Sequence, residues 1–181
     1  MNDRRSFLFG ALAVPLLTAV GPWQLMRKAT AAAAQDPVPI TMLGTPRGER
    51  VWFEPQGLWV AIGQTVRFIN KDPANVHSAT TFHPDLYGHE RRIPAKAKAW
   101  NSDLLLPDAH FDVTLQIPGV YDYYCLPHLA HGMVGRIVVG TPEDVGWTEE
   151  PYYQSSQLEG QRGTFPEVQA LLTKRVSPTH Q

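Results

Sequence analysis

The chain has 181 residues, 43% of them hydrophobic, and 16 basic against 17 acidic residues for a formal net charge of −1. That balance, with no polybasic cluster anywhere, excludes a phosphate-binding surface and with it nucleic acid as a partner. Charged residues are only 18% of the total, while 14 glycines and 16 prolines point to short strands joined by turns, so one compact all-β domain with extensions is expected.

Residues 1–34 read as a targeting segment. Arg4-Arg5-Ser6-Phe7-Leu8 precedes an apolar run from Phe9 to Val20 and a small-residue stretch ending at Ala31 to Ala34, a pattern similar to the bacterial twin-arginine export signal. Pro15, Gly21 and Pro22 break the run, which is short for a bilayer-spanning helix, so cleavage is expected rather than retention as an anchor, and no stable membrane insertion of the mature chain. Cleavage after Ala34 removes four basic residues and one acidic one, taking the net charge from −1 to −4. The mature protein is thus predicted to be periplasmic, with its single cysteine, Cys125, unable to form an internal disulfide in that oxidising compartment.

After the leader, short strands are predicted at Ile40 to Leu43, Arg50 to Phe53 and Leu58 to Ile62, with turns at Gly44, Gly48 and Gly57. Thr65 to Asn70 alternates Val66 and Phe68 with Arg67 and Ile69, and Phe111, Val113, Leu115 and Ile117 alternate with polar residues, the period of a strand with one buried face. Residues 83–109 lack periodicity and carry Pro84, Pro94 and Pro107, which predicts a long crossing loop with a helical turn. Val120 to Tyr124 and Val134 to Val139 complete seven or eight strands, the count of a Greek-key β-sandwich over residues 35–140. Residues 141–181 form a C-terminal extension in which Thr164-Phe165-Pro166-Glu167 reads as a capping box opening a short helix. Val168, Leu171 and Leu172 share one face of that helix, which either packs on the sandwich or docks a redox partner.

The chemistry concentrates in Tyr121-Asp122-Tyr123-Tyr124-Cys125-Leu126-Pro127-His128-Leu129-Ala130-His131-Gly132-Met133-Val134-Gly135. Cys125 ends one strand and Met133 begins the next, so the loop between them can wrap one ion, with His128 turned to the same point. Taken singly, a buried cysteine or a methionine after glycine is ordinary packing. Together, a thiolate, imidazole and a weak thioether suit copper cycling between Cu(I) and Cu(II) in a trigonal His₂Cys site with a long axial Met. A second histidine is required, and His77, in Asn75-Val76-His77 just past the strand ending at Asn70, is the best placed. His83 lies six residues further on without an assigned role, and His89, His110 and His131 read as surface or structural residues. His131, inside the loop, could tune the site or contact a partner without ligating.

The run Tyr-x-Tyr-Tyr-Cys-x-Pro-His-x-x-x-Gly-Met-x-Gly over residues 121–135, the Asn-x-His at residues 75–77 and Gly-Gln-Thr-Val-x-Phe at residues 63–68 resemble the plastocyanin and pseudoazurin branch of the cupredoxins, the type 1 blue copper proteins. The resemblance spans about residues 50–140. It implies a β-sandwich holding one copper at its end through His77, Cys125, His128 and Met133, and a diffusible one-electron carrier. It further implies an apolar rim around His128, made of Leu126, Pro127, Leu129, Ala130 and Gly132, through which a redox protein donor and acceptor exchange electrons, and a backbone N–H near Ser78 approaching the Cys125 sulfur. An enzyme is not expected: no His-x-His pair exists for further copper sites, a binuclear centre needs two bridging cysteines, and a Cys and Met pair serves zinc hydrolysis poorly. The same ligands could instead serve a periplasmic copper carrier or sensor that passes on metal rather than electrons.

Overall fold

A computed structural model describes residues 35–148 and 164–174; the export leader predicted over residues 1–34 lies outside them. The strands are β1 (Val38–Gly44), β2 (Val51–Glu54), β3 (Gly57–Val60), β4 (Thr65–Asn70), β5 (Thr80–Thr81), β6 (His110–Thr114), β7 (Gly119–Tyr124) and β8 (Val134–Val139), followed by one helix, α1 (Val168–Thr173). They form two four-stranded sheets, ordered β2-β1-β4-β6 and β3-β8-β7-β5. From β2 to β7 every connection crosses from one sheet to the other, giving the sandwich expected from the short alternating segments.

Alternation decides which side chains meet between the sheets. Ile40 and Met42 of β1 and Val66 and Phe68 of β4 point inward, and the parallel register sets Ile40 against Phe68. From β7 and β8 the odd-numbered Tyr121, Tyr123, Ile137 and Val139 face them, with Cys125 and Met133 in the same cluster at one end. Phe53, Phe68 and Tyr123 meet edge to face, with centroids 4.8 to 6.3 Å apart, a geometry that adds to their area burial.

β7 and β8 are buried at every residue because their outer face is covered as well. Val120 and Val138 pack against Val168 and Leu171 of α1, with Trp59 and Trp147 beside them. Burying two such side chains stabilises the segment by roughly 1.5–3 kcal/mol each. The apolar face of α1 is therefore spent on the sandwich and does not stand free for a partner. Further along, Tyr124 and Val134 meet Phe82 and Phe165. Between these patches Asp122 accepts from Arg136 Nε at 2.6 Å and from Arg92 Nε at 2.8 Å, all three buried, and Phe165 lies against both guanidiniums at 4.9 and 5.0 Å.

Three local expectations are corrected. No capping box forms: Glu167 takes the N-cap position without a side-chain hydrogen bond, and Thr164, placed in a β-bridge, gives its carbonyl to Gln56 Nε2 at 2.8 Å. The helical turn expected within residues 83–109 is absent; this loop is pinned instead by isolated bridges His77↔Leu105, Thr80↔Asn101 and His83↔Leu86 and by Trp100 stacked on Tyr121. The strand expected to run to Ile117 stops at Thr114, and its Phe111 and Val113 are only partly buried, since β6 is a sheet edge.

Candidate metal centre

Four chain segments meet at one end of the sandwich. β7 ends at Tyr124 and β8 starts at Val134, paired directly across the ladder, so the nine residues between them form a closed loop. Pro127 favours the start of a 3-10 helix over Leu126–His131, which Gly132 ends in the left-handed conformation at φ 81°. The loop satisfies its own backbone: Cys125 N–H donates to Met133 O at 3.0 Å, His128 N–H to Cys125 O at 3.1 Å, and Met133 N–H to His128 O at 3.2 Å. Residue 77 arrives from the β4–β5 connection, its amide and carbonyl both bonded to Leu105.

The structure brings three of the four expected ligand side chains to a common point. Cys125 Sγ lies 3.6 Å from His77 Nδ1 and 3.3 Å from His128 Nδ1, and the donor atoms all fall within 4.8 Å of one another. The rings of His77 and His128 sit 4.9 Å apart, tilted by 53°. Met133 is buried in the same cluster as Cys125. His77 and Cys125 are fully buried while His128 is partly exposed, so the site opens to solvent along His128 alone of these three.

The expected amide contact is present: Ser78 N–H reaches Cys125 Sγ at 3.3 Å. Burial pushes the Cys125 thiol up to about 11, against the pull of Ser78 and His128. Burial also lowers the basicity of both histidines, and at His128 the neighbouring His77 and His131 lower it further. Two neutral imidazoles and a buried thiol that needs a cation to ionise are a donor set suited to copper.

Among the described residues, the remaining histidines lie apart from the cluster. His83 Nδ1 accepts from the Asp85 amide at 3.2 Å, His89 packs edge-on against Phe82 and Tyr124, and His110 is exposed on β6. His131 is exposed, with its ring 6.1 Å from that of His128. In the expected apolar rim, Pro127 and Ala130 are exposed, whereas Leu126 and Leu129 are partly buried against Phe82, Tyr124, Val134 and Phe165. One residue at the site was not anticipated: Asp72, buried, whose Oδ2 lies 3.0 Å from His77 Nε2. Its setting, Asn70-Lys71-Asp72-Pro73, reads in sequence as turn chemistry and nothing more.

This fold and donor set belong to a copper protein. The sequence profile of the copper binding proteins, plastocyanin/azurin family, matches residues 40–140, more than half of the chain, and the chain belongs to that family. It is 34% identical over 108 residues to a chloroplastic plastocyanin of Hordeum vulgare, a match covering 60% of this chain and 64% of the relative. With a plastocyanin of Lactuca sativa it shares 35% over 104 residues, 54% of this chain and 96% of the relative. Among solved structures, the pseudoazurin of Methylobacterium extorquens AM1 is 26% identical, covering 60% of this chain and 79% of that one at a TM-score of 0.47. The chain spans between 60 and 64% of the length of several of the plastocyanins it matches.

Proposed function

We propose that this protein is a diffusible one-electron carrier, not an enzyme, whose copper would be held by His77, Cys125, His128 and Met133. The observation that carries the reading is the convergence of one thiol and two imidazole nitrogens within 4.8 Å, with His77 and Cys125 buried and His128 partly exposed. Bound copper would supply a Cu(II)/Cu(I) couple. The chain's residues do the rest. Cys125 and His77 are held by backbone bonds on both sides, so the fold itself sets where these two donors lie. His128, partly exposed, offers the short path to a partner, and the exposed Pro127 and Ala130 beside it form a weakly polar rim suited to brief encounters with a redox protein donor and acceptor.

The same reading takes residues 1–34 as a twin-arginine leader that sends the folded domain of residues 35–140, with its extension of residues 141–181, to the periplasm. The Arg4-Arg5 pattern and the apolar run from Phe9 to Val20 support it.

The test is the visible and electron paramagnetic resonance spectrum of the Cu(II)-loaded protein beside Cys125→Ser. An intense thiolate-to-copper band with narrow hyperfine splitting, lost in the variant, is expected. A colourless protein or an ordinary Cu(II) spectrum refutes the ligand set. Ready extraction of the metal by a chelator from a type 1 site points instead to a copper carrier or sensor.

A further inference from the structure

Asp72 is a buried carboxylate, three of whose four contacts are donors of fixed protonation. Oδ1 accepts the backbone N–H of Ala74 at 2.9 Å and of Asn75 at 3.2 Å, and Oδ2 accepts Asn75 Nδ2 at 2.7 Å. The fourth contact is His77 Nε2, 3.0 Å from Oδ2. The cage around it is itself anchored: Asp72 N–H donates to Asn70 Oδ1 at 2.9 Å, Asn70 Nδ2 donates to the carbonyls of Asn75 and Leu105, and Asn75 Nδ2 also reaches Thr45 O at 3.3 Å. Gly44 leaves room for it, since a Cβ there would collide with Oδ2. Both side chains of the pair have no solvent exposure, and among the described residues no lysine or arginine forms an ion pair with Asp72.

A carboxylate ringed by amide donors stays ionised. Three of its four contacts are amide N–H groups that can only donate, so each favours the charged carboxylate and none can accept a proton from it. An ionised acceptor facing Nε2 requires a proton on Nε2, which leaves the lone pair on Nδ1, the atom that faces Cys125 Sγ. A fixed negative charge behind a ligating imidazole makes it a stronger donor and favours the more highly charged state of whatever it ligates.

We propose that Asp72 is a positioning residue of the copper site, which fixes His77 as the Nε2–H tautomer and biases the site toward Cu(II). The inference rests on His77 being a copper ligand. Asn70, Asp72, Asn75 and Gly44 then act as one unit whose purpose is to hold a full negative charge against the far edge of that ring.

Two measurements on the full-length protein test this. In the copper-free wild type, nitrogen-15 resonances of the His77 ring should show Nε2 protonated and Nδ1 bare; the opposite tautomer overturns the inference without any variant. In the copper-loaded protein, Asp72→Asn, which keeps the shape and removes the charge, should lower the preference for Cu(II) over Cu(I) about tenfold, a rise in potential of about 59 mV for one electron. Asp72→Ala should shift it in the same direction and mix the tautomers in the copper-free form. Wild-type potentials in these variants, with the type 1 spectrum intact, overturn the inference and leave the ligand set standing. If the wild type has no type 1 spectrum, the ligand set itself falls and the inference with it. Should neither variant fold, the wild-type tautomer decides.

Discussion

Ser78 holds the Cys125 end of β7 by two separate bonds: its amide points at Cys125 Sγ from 3.3 Å, and its hydroxyl accepts the Leu126 N–H at 2.7 Å. The two contacts have different jobs. The amide bond is to the sulfur, while the hydroxyl bond anchors the first residue of the 3-10 turn. Ser78→Ala keeps the first, strips Leu126 N–H of its acceptor and also removes the hydroxyl's 3.1 Å contact with Thr80 Oγ1, at a cost of about 1–3 kcal/mol for the orphaned amide. The expected result is a melting temperature lower by about 2–4 °C for each kcal/mol lost, with the type 1 spectrum retained. Equal melting temperatures for variant and wild type would show that water replaces the hydroxyl without penalty.

Electron exchange should respond to charge at Ala130 rather than at Leu129. Ala130 is exposed beside His128, whereas Leu129 is tied into the Phe82, Tyr124 and Phe165 cluster, so a charge there disturbs packing as well as docking. Ala130→Glu places like charges face to face when two copies meet. Its self-exchange rate should fall about tenfold at low ionic strength and recover with added salt, at unchanged potential. A rate insensitive to this change removes the His128 rim as the port.

Asp122 is the buried carboxylate shared by Arg92 and Arg136. Asp122→Ala withdraws the negative charge from two buried cations and should destabilise the fold by about 3–5 kcal/mol, measured by denaturant unfolding. Because Phe165 lies against both guanidiniums, the same variant should speed proteolysis near residues 164–174. Wild-type stability would mean that other contacts of the two arginines carry them.

A milder, pH-dependent effect belongs to the surface pair Arg67–Asp112, joined by two bonds of 2.7 Å. The hydrogen bond from Arg67 holds Asp112 below its ordinary 3.8. A depressed folded-state value means the stabilisation is present above pH 3.8 and is lost as the pH falls through the folded value. Thermal melting of wild type against Asp112→Asn should therefore show a small gap at neutral pH that closes in acid. A gap that persists unchanged well below pH 3.8 would show that the charge is not its source.

Where a residue's role follows from its neighbours in sequence, the sequence displays it. Val66 and Phe68 alternate with polar positions, and Val134 to Val139 is bounded by Met133 and Gly140, so both strands are legible, as is the Cys125 to Met133 loop with its one cysteine. The role of Asp72 depends on a ring five residues away that a turn folds back over it, and nothing in Asn-Lys-Asp-Pro distinguishes a carboxylate that caps a turn from one that also holds a histidine. Thr164 misleads for a related reason. Its spacing to Glu167 fits a capping box, but Gln56, more than a hundred residues earlier, claims its carbonyl, and tertiary pairing prevails over the local motif. The division of the rim into exposed Ala130 and packed Leu129 likewise waits on Phe165, which lies far along the chain from both.

The strand order β3-β8-β7-β5 also dictates when this protein can finish itself. Both middle strands of that sheet are the last to be synthesised, and β3, whose Gly57 pairs with Arg136, has no neighbour in its own sheet until they arrive. Such pairing between distant parts of the chain makes for late, slow assembly. Cys125 is sealed in the same event, since its amide bonds to Met133 at the threshold of β8. On the ribosome, then, the one thiol of this protein comes under cover only when the final strand leaves the exit tunnel, and His77 waits for its companions until that moment.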